Sequence, residues 1–319
     1  MTMHFRSIKD LYGDVWRNLH RVPADIDLVV AIPRSGLLPA TMIALARNLP
    51  IADIEGFAAG RTLATGHTRQ DGSFSGLRDF QHVLVMDDST RTGASMREAR
   101  EKLAGLAAGG VRMTFAVAYG TGAHCPDVDL VLANVPEPRV FEWNVLHHPI
   151  VSQSCFDIDG VLCIDPAPHQ NDDGDAYLDF LLTAAPLHRP RREIAMLVTS
   201  RLEKYRPQTE DWLARHGIRY RELRMLDLPD AESRRRLGVH GSFKAEVYRQ
   251  SPCTLFVESE VLQAREIARL SGKPALSLQG PEMCNPGMLN PRAATVRLHP
   301  ARLQKRIRRI LARLRPSAA

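Results

Sequence analysis

Long apolar runs are missing from this 319-residue sequence, and its opening segment, MTMHFRSIKDLYG, contains no apolar signal core. The first absence excludes a membrane span and the second gives no export signal, so the expected location is the cytoplasm. Cysteine is scarce. Cys125, Cys155, Cys163, Cys253 and Cys284 are odd in number, widely scattered and without a C-x-x-C pair. That pattern fits reduced thiols and offers no zinc framework. Histidine adds none, since its residues, including His147 and His148, carry no metal-binding spacing. Diffuse positive charge is lacking as well. The net charge is +6, but the stretch Ala301–Arg315, ARLQKRIRRILARLR, holds seven basic residues and no acidic one. The remainder is close to neutral, so no basic face and no nucleic-acid partner is expected. There is no internal repeat.

What is present is a soluble globular composition, 44% apolar and 24% charged, in a chain long enough for two domains. The first half alternates strand-like and helix-like segments. DLVVAIP (27–33) precedes the helical LLPATMIALARNL, and HVLVMDD (82–88) precedes GASMREAREKLAGLAAGG. Two further strands follow, VRMTFAVAYG (111–120) and VDLVLANV (128–135). This order predicts a parallel sheet covered on both faces. Between Gly56 and Phe80 lies a polar loop with five glycines, long enough to be functional or disordered. A second alternation begins with SCFDIDGVL (154–162) and continues through IAMLVTS (194–200) and the helix PQTEDWLARHGI. It ends with PCTLFVESE (252–260), the helix VLQAREIARLSG and PALSL (274–278). The fold class is α/β, with two doubly wound parallel-sheet domains meeting near residue 150.

The stretch Val83–Ser95, VLVMDDSTRTGAS, concentrates the chemistry of the first half. In an open parallel sheet, ligands bind beyond the carboxyl ends of the strands, where Asp87 and Asp88 fall. Two carboxylates there can accept hydrogen bonds from vicinal ribose hydroxyls or from water on a magnesium ion. The following turn supplies hydroxyls, backbone N–H groups and a helix N-terminus, and Gly93 lets the backbone come close to an anion. The string resembles the PRPP-binding signature of type I phosphoribosyltransferases. By that resemblance Asp87 and Asp88 hold the ribose hydroxyls, and Ser89, Thr90, Arg91, Thr92, Gly93, Ala94 and Ser95 wrap the 5-phosphate. AIPRSGLLPA (31–40) resembles the pyrophosphate loop of that family, with Arg34, Ser35 and Gly36 at its turn. The 56–80 segment stands where the family has its mobile lid, and Arg61, Arg69 and Arg78 are its candidate pyrophosphate ligands. The resemblance covers roughly residues 25–135 and identifies no general base.

The second half carries CFDIDGVLC (155–163). Asp157 ends an apolar strand and Asp159 lies two residues on, so both point the same way if the backbone stays extended. Two carboxylates on one face can be nucleophile and general acid, or magnesium ligands. The string resembles the first motif of haloacid dehalogenase-type (HAD) phosphatases. In the order of that family, Thr199 matches the phosphoryl-holding hydroxyl, Lys244 in GSFKAEVY the basic residue, and Glu258 in LFVESE the acidic metal ligand. The family usually carries aspartates at the last motif, where this chain has Glu258 and Glu260. The resemblance implies an aspartyl-phosphate on Asp157, protonation of the leaving oxygen by Asp159, and Mg2+ held by Asp157, Asp159 and Glu258. The segment between Asp165 and Pro190 leaves room only for a small cap.

These resemblances divide the chain into a phosphoribosyltransferase domain (1–149), a HAD-like phosphatase domain (150–300) and a basic amphipathic helix (301–319). They imply transfer of 5-phosphoribose from PRPP to an acceptor, followed by hydrolysis of the 5-phosphate. The arrangement resembles paired modules that install ribofuranose in bacterial surface polysaccharides, so a saccharide, free or lipid-linked, is the leading acceptor. The alternatives are a nucleobase acceptor in salvage, and a PRPP sensor without catalysis. In the tail, Leu303, Ile307, Ile310, Leu311 and Leu314 share one helical stripe among arginines. That stripe either packs on the second domain or makes a weak contact with the inner membrane face.

Overall fold

The computed structural model describes residues 2–63, 80–171, 173–238 and 240–288. The chain forms two compact units, one comprising Arg6–Trp143 and the other Met1–Phe5 with Asn144–Ala319. Each is described by itself. After the short strand β1 (His4–Arg6), the first unit runs α1 (Ile8–Asn18), β2 (Leu28–Ala31), α2 (Leu37–Arg47), β3 (Ile51–Asp53), α3 (Ile54–Ala58) and β4 (His82–Ser89). It continues with α4 (Ala94–Ala108), β5 (Arg112–Gly120), β6 (Leu130–Asn134) and β7 (Arg139–Phe141).

Five of these strands make one sheet in the order β3-β2-β4-β5-β6, and every neighbouring pair is parallel. The apolar runs explain why the sheet is covered on both sides, since alternate side chains go to opposite faces. Val29, Ala31, Leu84 and Met86 pack with Leu11 and Val15 of α1 and Ala40 and Ile43 of α2. Leu28, Val30, Val83 and Val85 pack on the other side with Phe57 of α3 and Met96, Ala99 and Leu103 of α4. Burying a side chain of this kind stabilises the fold by about 1.5–3 kcal/mol each before chain entropy is subtracted.

The alternation also fixes where the acidic pair goes. Continued one step past Met86, it sends Asp87 to the α4 side and Asp88 to the α2 side of the central strand. The expected polar loop at 56–80 starts inside α3, and Arg61 is exposed. Arg69 and Arg78 lie outside the described residues.

The second unit contains β8 (Ser154–Phe156), α5 (Asp175–Thr183), β9 (Met196–Leu202), α6 (Arg206–Arg215), β10 (Leu223–Leu226) and α7 (Ala231–Leu237). It ends with α8 (His240–Gln250), β11 (Leu255–Glu258), α9 (Val261–Ser271), β12 (Ala275–Ser277) and β13 (Glu282–Cys284). Its sheet has the order β10-β9-β8-β11-β12-β13. All pairs are parallel except β12 with β13. The segment expected to form a small cap carries α5, which lies beside α6: Trp212 Nε1 donates to Ala184 O at 2.8 Å and Arg215 Nη2 to Leu182 O at 2.8 Å. Among the described residues no helix is long and apolar enough to cross a membrane. The basic stretch 301–319 lies outside the described residues.

Candidate functional sites

In the first unit, β4 ends on Asp87 and Asp88, both buried. Asp88 Oδ1 accepts from Ser35 Oγ at 2.8 Å, and Asp88 Oδ2 accepts from Trp143 Nε1 at 2.7 Å. Asp87 Oδ1 accepts from the Asp88 backbone N–H at 2.8 Å. Burial, reinforced by the Asp88 charge, pushes the Asp87 carboxyl up from 3.8 to about 8. Two carboxyls this close disfavour double ionisation, which is the direction of the Asp87 shift.

Ser35 reaches Asp88 because α2 starts tight against β4. A Cβ on Gly36 would stand 2.4 Å from Ile32 O and 2.8 Å from Met86 O, so only glycine permits this approach. The adjoining Pro33–Arg34 peptide is cis, and Arg34 is exposed.

Beyond the acidic pair, the chain turns into α4 through Ser89–Ser95. Gly93 takes φ +78°, and a Cβ there would meet Cys125 Sγ at 2.8 Å and Asp127 Oδ2 at 3.0 Å. Thr90 Oγ1 accepts from the Gly93 N–H at 3.0 Å. The buried Arg139 anchors the loop from behind, donating to Thr90 O at 2.7 Å, Gly120 O at 2.9 Å and Val135 O at 3.1 Å. No side chain caps α4, so its leading N–H groups can receive an anion. Arg91, Thr92, Ala94 and Ser95 are exposed around that end. The expected residues Ser35, Gly36, Asp87 and Asp88 therefore converge, with 89–95 as the adjoining loop.

Sequence reading assigned no place in this constellation to Arg139. Trp143, in the same constellation, carries no motif signal either. Trp143 stacks on Phe141 (4.8 Å, 8°), which stacks on Tyr119 (5.4 Å, 13°).

In the second unit, Asp157 follows β8 and Glu258 ends β11, and the Asp157 N–H extends the ladder to Val257 O at 3.0 Å. Lys244 of α8 joins them. Its Nζ donates to Asp157 Oδ2 at 2.6 Å, Glu258 Oε2 at 2.8 Å and Gln263 Oε1 at 3.1 Å. All three ionic side chains are buried. Burial pushes the Asp157 carboxyl up while the Lys244 charge pulls it back. Burial also works against the Lys244 charge, and Asp157 and Glu258 outweigh it, leaving Lys244 raised.

Asp159 makes its own contacts elsewhere, although its charge still raises the Asp157 carboxyl. The extended backbone that would have aligned it with Asp157 stops at Phe156, and a turn follows in which the N–H groups of Val161, Leu162 and Cys163 all donate to Ile158 O. Gly160 takes φ +70° there, with Ser259 and Asp165 in the space a Cβ would need. Asp159 is instead gripped by Arg201, whose Nε lies 3.2 Å from both carboxylate oxygens and whose Nη2 lies 2.6 Å from Oδ1. Cys163 Sγ adds a contact to Oδ1 at 3.4 Å. Burial works against the Arg201 charge, and the Asp159 carboxylate outweighs it.

Thr199 is buried in β9, its Oγ1 accepting from the Arg201 N–H at 3.3 Å. Glu260 is exposed at the start of α9, accepting from Gln263 Nε2 at 2.9 Å. Among the described residues no group of three or more His, Cys, Asp or Glu is arranged to hold a metal ion. The donors near Lys244 amount to two carboxylates. That number suits magnesium, which usually takes one or two protein carboxylates and completes its shell with substrate phosphates and water.

No protein-family model matches the chain, and no curated protein matches it. Solved structures similar to part of it include the Helicobacter pylori xanthine-guanine-hypoxanthine phosphoribosyltransferase, at 16% identity over 45% of this chain and 93% of that one, TM-score 0.32. The purine phosphoribosyltransferase from Pyrococcus horikoshii is 15% identical over 45% of this chain and 94% of that one, TM-score 0.33. The orotate phosphoribosyltransferase from Aeropyrum pernix is 19% identical over 40% and 69%, TM-score 0.29. Likeness at this level says nothing of substrate.

Proposed function

We propose that the chain is a bifunctional enzyme: its first unit transfers 5-phosphoribosyl from PRPP to an acceptor, and its second hydrolyses the remaining 5-phosphate. The observation that carries the first half is the convergence of Asp87 and Asp88 at the end of β4 with the Ser35–Gly36 turn and the uncapped start of α4. A ribose phosphate needs those features together: acceptors for hydroxyls and N–H donors for the phosphate. Asp87 and Asp88 receive the ribose hydroxyls, Ser89–Ser95 the 5-phosphate, and Arg34, Ser35 and Gly36 the pyrophosphate. The acceptor oxygen attacks the anomeric carbon as the bond to pyrophosphate breaks, and the acceptor hydroxyl's proton passes to water or to the departing pyrophosphate.

For the second half, the supporting observation is the buried Lys244 between Asp157 and Glu258. Lys244 offsets the charge of the Asp157 carboxylate and of an incoming phosphoryl group. Asp157 attacks phosphorus and the ester oxygen leaves; Asp159, held as a carboxylate by Arg201, must release that guanidinium and take up a proton before it can protonate the leaving oxygen. Water then cleaves the aspartyl-phosphate, releasing inorganic phosphate. Asp157 and Glu258 would hold Mg2+, which supplies Lewis-acid polarisation of the phosphoryl oxygens when bound. Joining both activities on one chain raises the local concentration of the intermediate.

The leading acceptor is a saccharide, because loss of the 5-phosphate leaves a plain ribofuranosyl unit. A nucleobase acceptor is the second reading, favoured by the three-ring stack that ends beside Asp88. Asp157→Asn incubated with PRPP, Mg2+ and separate saccharide and nucleobase panels distinguishes them by mass spectrometry. A phosphoribosyl-saccharide that loses one phosphate when wild-type protein is added supports the leading reading. An adduct on a base alone supports salvage, and PRPP binding without any adduct leaves a sensor.

A further inference from the structure

The Asp88 carboxylate is held from two directions. Ser35 Oγ donates to Oδ1 at 2.8 Å and Trp143 Nε1 to Oδ2 at 2.7 Å, with Ser89 Oγ a longer 3.4 Å from Oδ2. A close donor on each oxygen fixes the rotation of the carboxylate plane and with it the directions of the remaining lone pairs.

The indole N–H is aimed by the rings behind it. Trp143 lies nearly parallel to Phe141, and Phe141 to the fully buried Tyr119. Tyr119 Oη is tied to Asp14 Oδ2 at 2.8 Å, and the Arg139 guanidinium sits 5.3 Å over the Phe141 ring. The stack thus runs from an anchored hydroxyl in the core to a single N–H on an acidic side chain. Phenylalanine would fill the same stack and could not make that bond.

We propose that Trp143 is a positioning residue of the first site: its N–H sets the Asp88 carboxylate in the orientation that receives the ribose hydroxyls. This rests on the reading that the first unit binds PRPP. It assigns the ring stack to preparing the ribose site, where the alternative is a platform for a planar acceptor.

Titration calorimetry of the full chain with PRPP, and separately with inorganic pyrophosphate, tests it in wild type, Trp143→Phe and Trp143→Ala. Pyrophosphate lacks the ribose and meets Asp88 only indirectly, through Ser35. Trp143→Phe is expected to weaken PRPP about tenfold, the lower end for a hydrogen bond to a charged group, while pyrophosphate stays within about twofold. Trp143→Ala should weaken PRPP at least as much.

PRPP affinity unchanged in Trp143→Phe but lost in Trp143→Ala would overturn the hydrogen-bond role in favour of the ring. Equal weakening of both ligands, or a large fall in Tm for Trp143→Phe, would overturn it in favour of general disruption. Wild type that binds pyrophosphate but not PRPP would instead remove the PRPP reading on which the inference rests.

Discussion

Asp87 illustrates how a residue proposed to bind substrate costs stability. In the unfolded chain it ionises near 3.8, whereas the folded chain keeps it protonated up to about 8. The folded state therefore binds more protons across that window, and the Asp87 contribution grows less favourable as pH rises from about 4 to about 8. Asp87→Asn removes the titration. Its melting temperature should exceed that of wild type by a margin that widens between about pH 5 and pH 8 and then levels off. Scanning calorimetry across that range checks this, and a constant margin would contradict it. Lys244 is the opposite case. Replacing it with methionine leaves Asp157 and Glu258 buried side by side without their counter-charge, which should cost about 3–5 kcal/mol in urea denaturation. Wild-type stability in Lys244→Met would mean that the two carboxylates are not held by that lysine.

At the scale of elements, the sites depend on where strands stop and helices begin. The α2 N-terminus touches β4 through Gly36, and a methyl group there must displace either Ile32 O or Met86 O. Gly36→Ala should destabilise the first unit by about 1–3 kcal/mol and weaken PRPP binding, because Ser35 would move off Asp88. Both effects are measurable, by denaturation and by calorimetry; an unperturbed variant would show that the close approach does not matter.

The central strands β2, β4, β5, β8, β9 and β11 were legible as apolar runs, and the acidic residues at their ends followed from that. Of the edge strands of the two large sheets, β6 was legible in the same way and β3, β10 and β13 were not. The three residues of β3 and of β13 are too short for any periodicity, and β10 has Arg224 in its middle, which breaks an apolar run. The extended line assumed for Asp157 and Asp159 failed because the chain turns at Ile158, a choice made by the glycine at 160 and by packing from distant residues. Arg201 and Trp143 were not seen as partners of the two sites because each lies 42 and 55 residues from the aspartate it holds. Only the folded sheet brings such pairs together.

For the whole molecule, the proposed reaction is ordered: transfer in the first unit, then hydrolysis in the second. The direct measurement is a time course of released pyrophosphate and inorganic phosphate from PRPP, acceptor and Mg2+, in wild type, Asp88→Asn and Asp157→Asn. In wild type pyrophosphate should appear first and phosphate follow in equal final amount. Asp157→Asn should release pyrophosphate alone, and Asp88→Asn neither. Phosphate appearing without pyrophosphate, or appearing undiminished in Asp157→Asn, would contradict a sequential reaction on this chain.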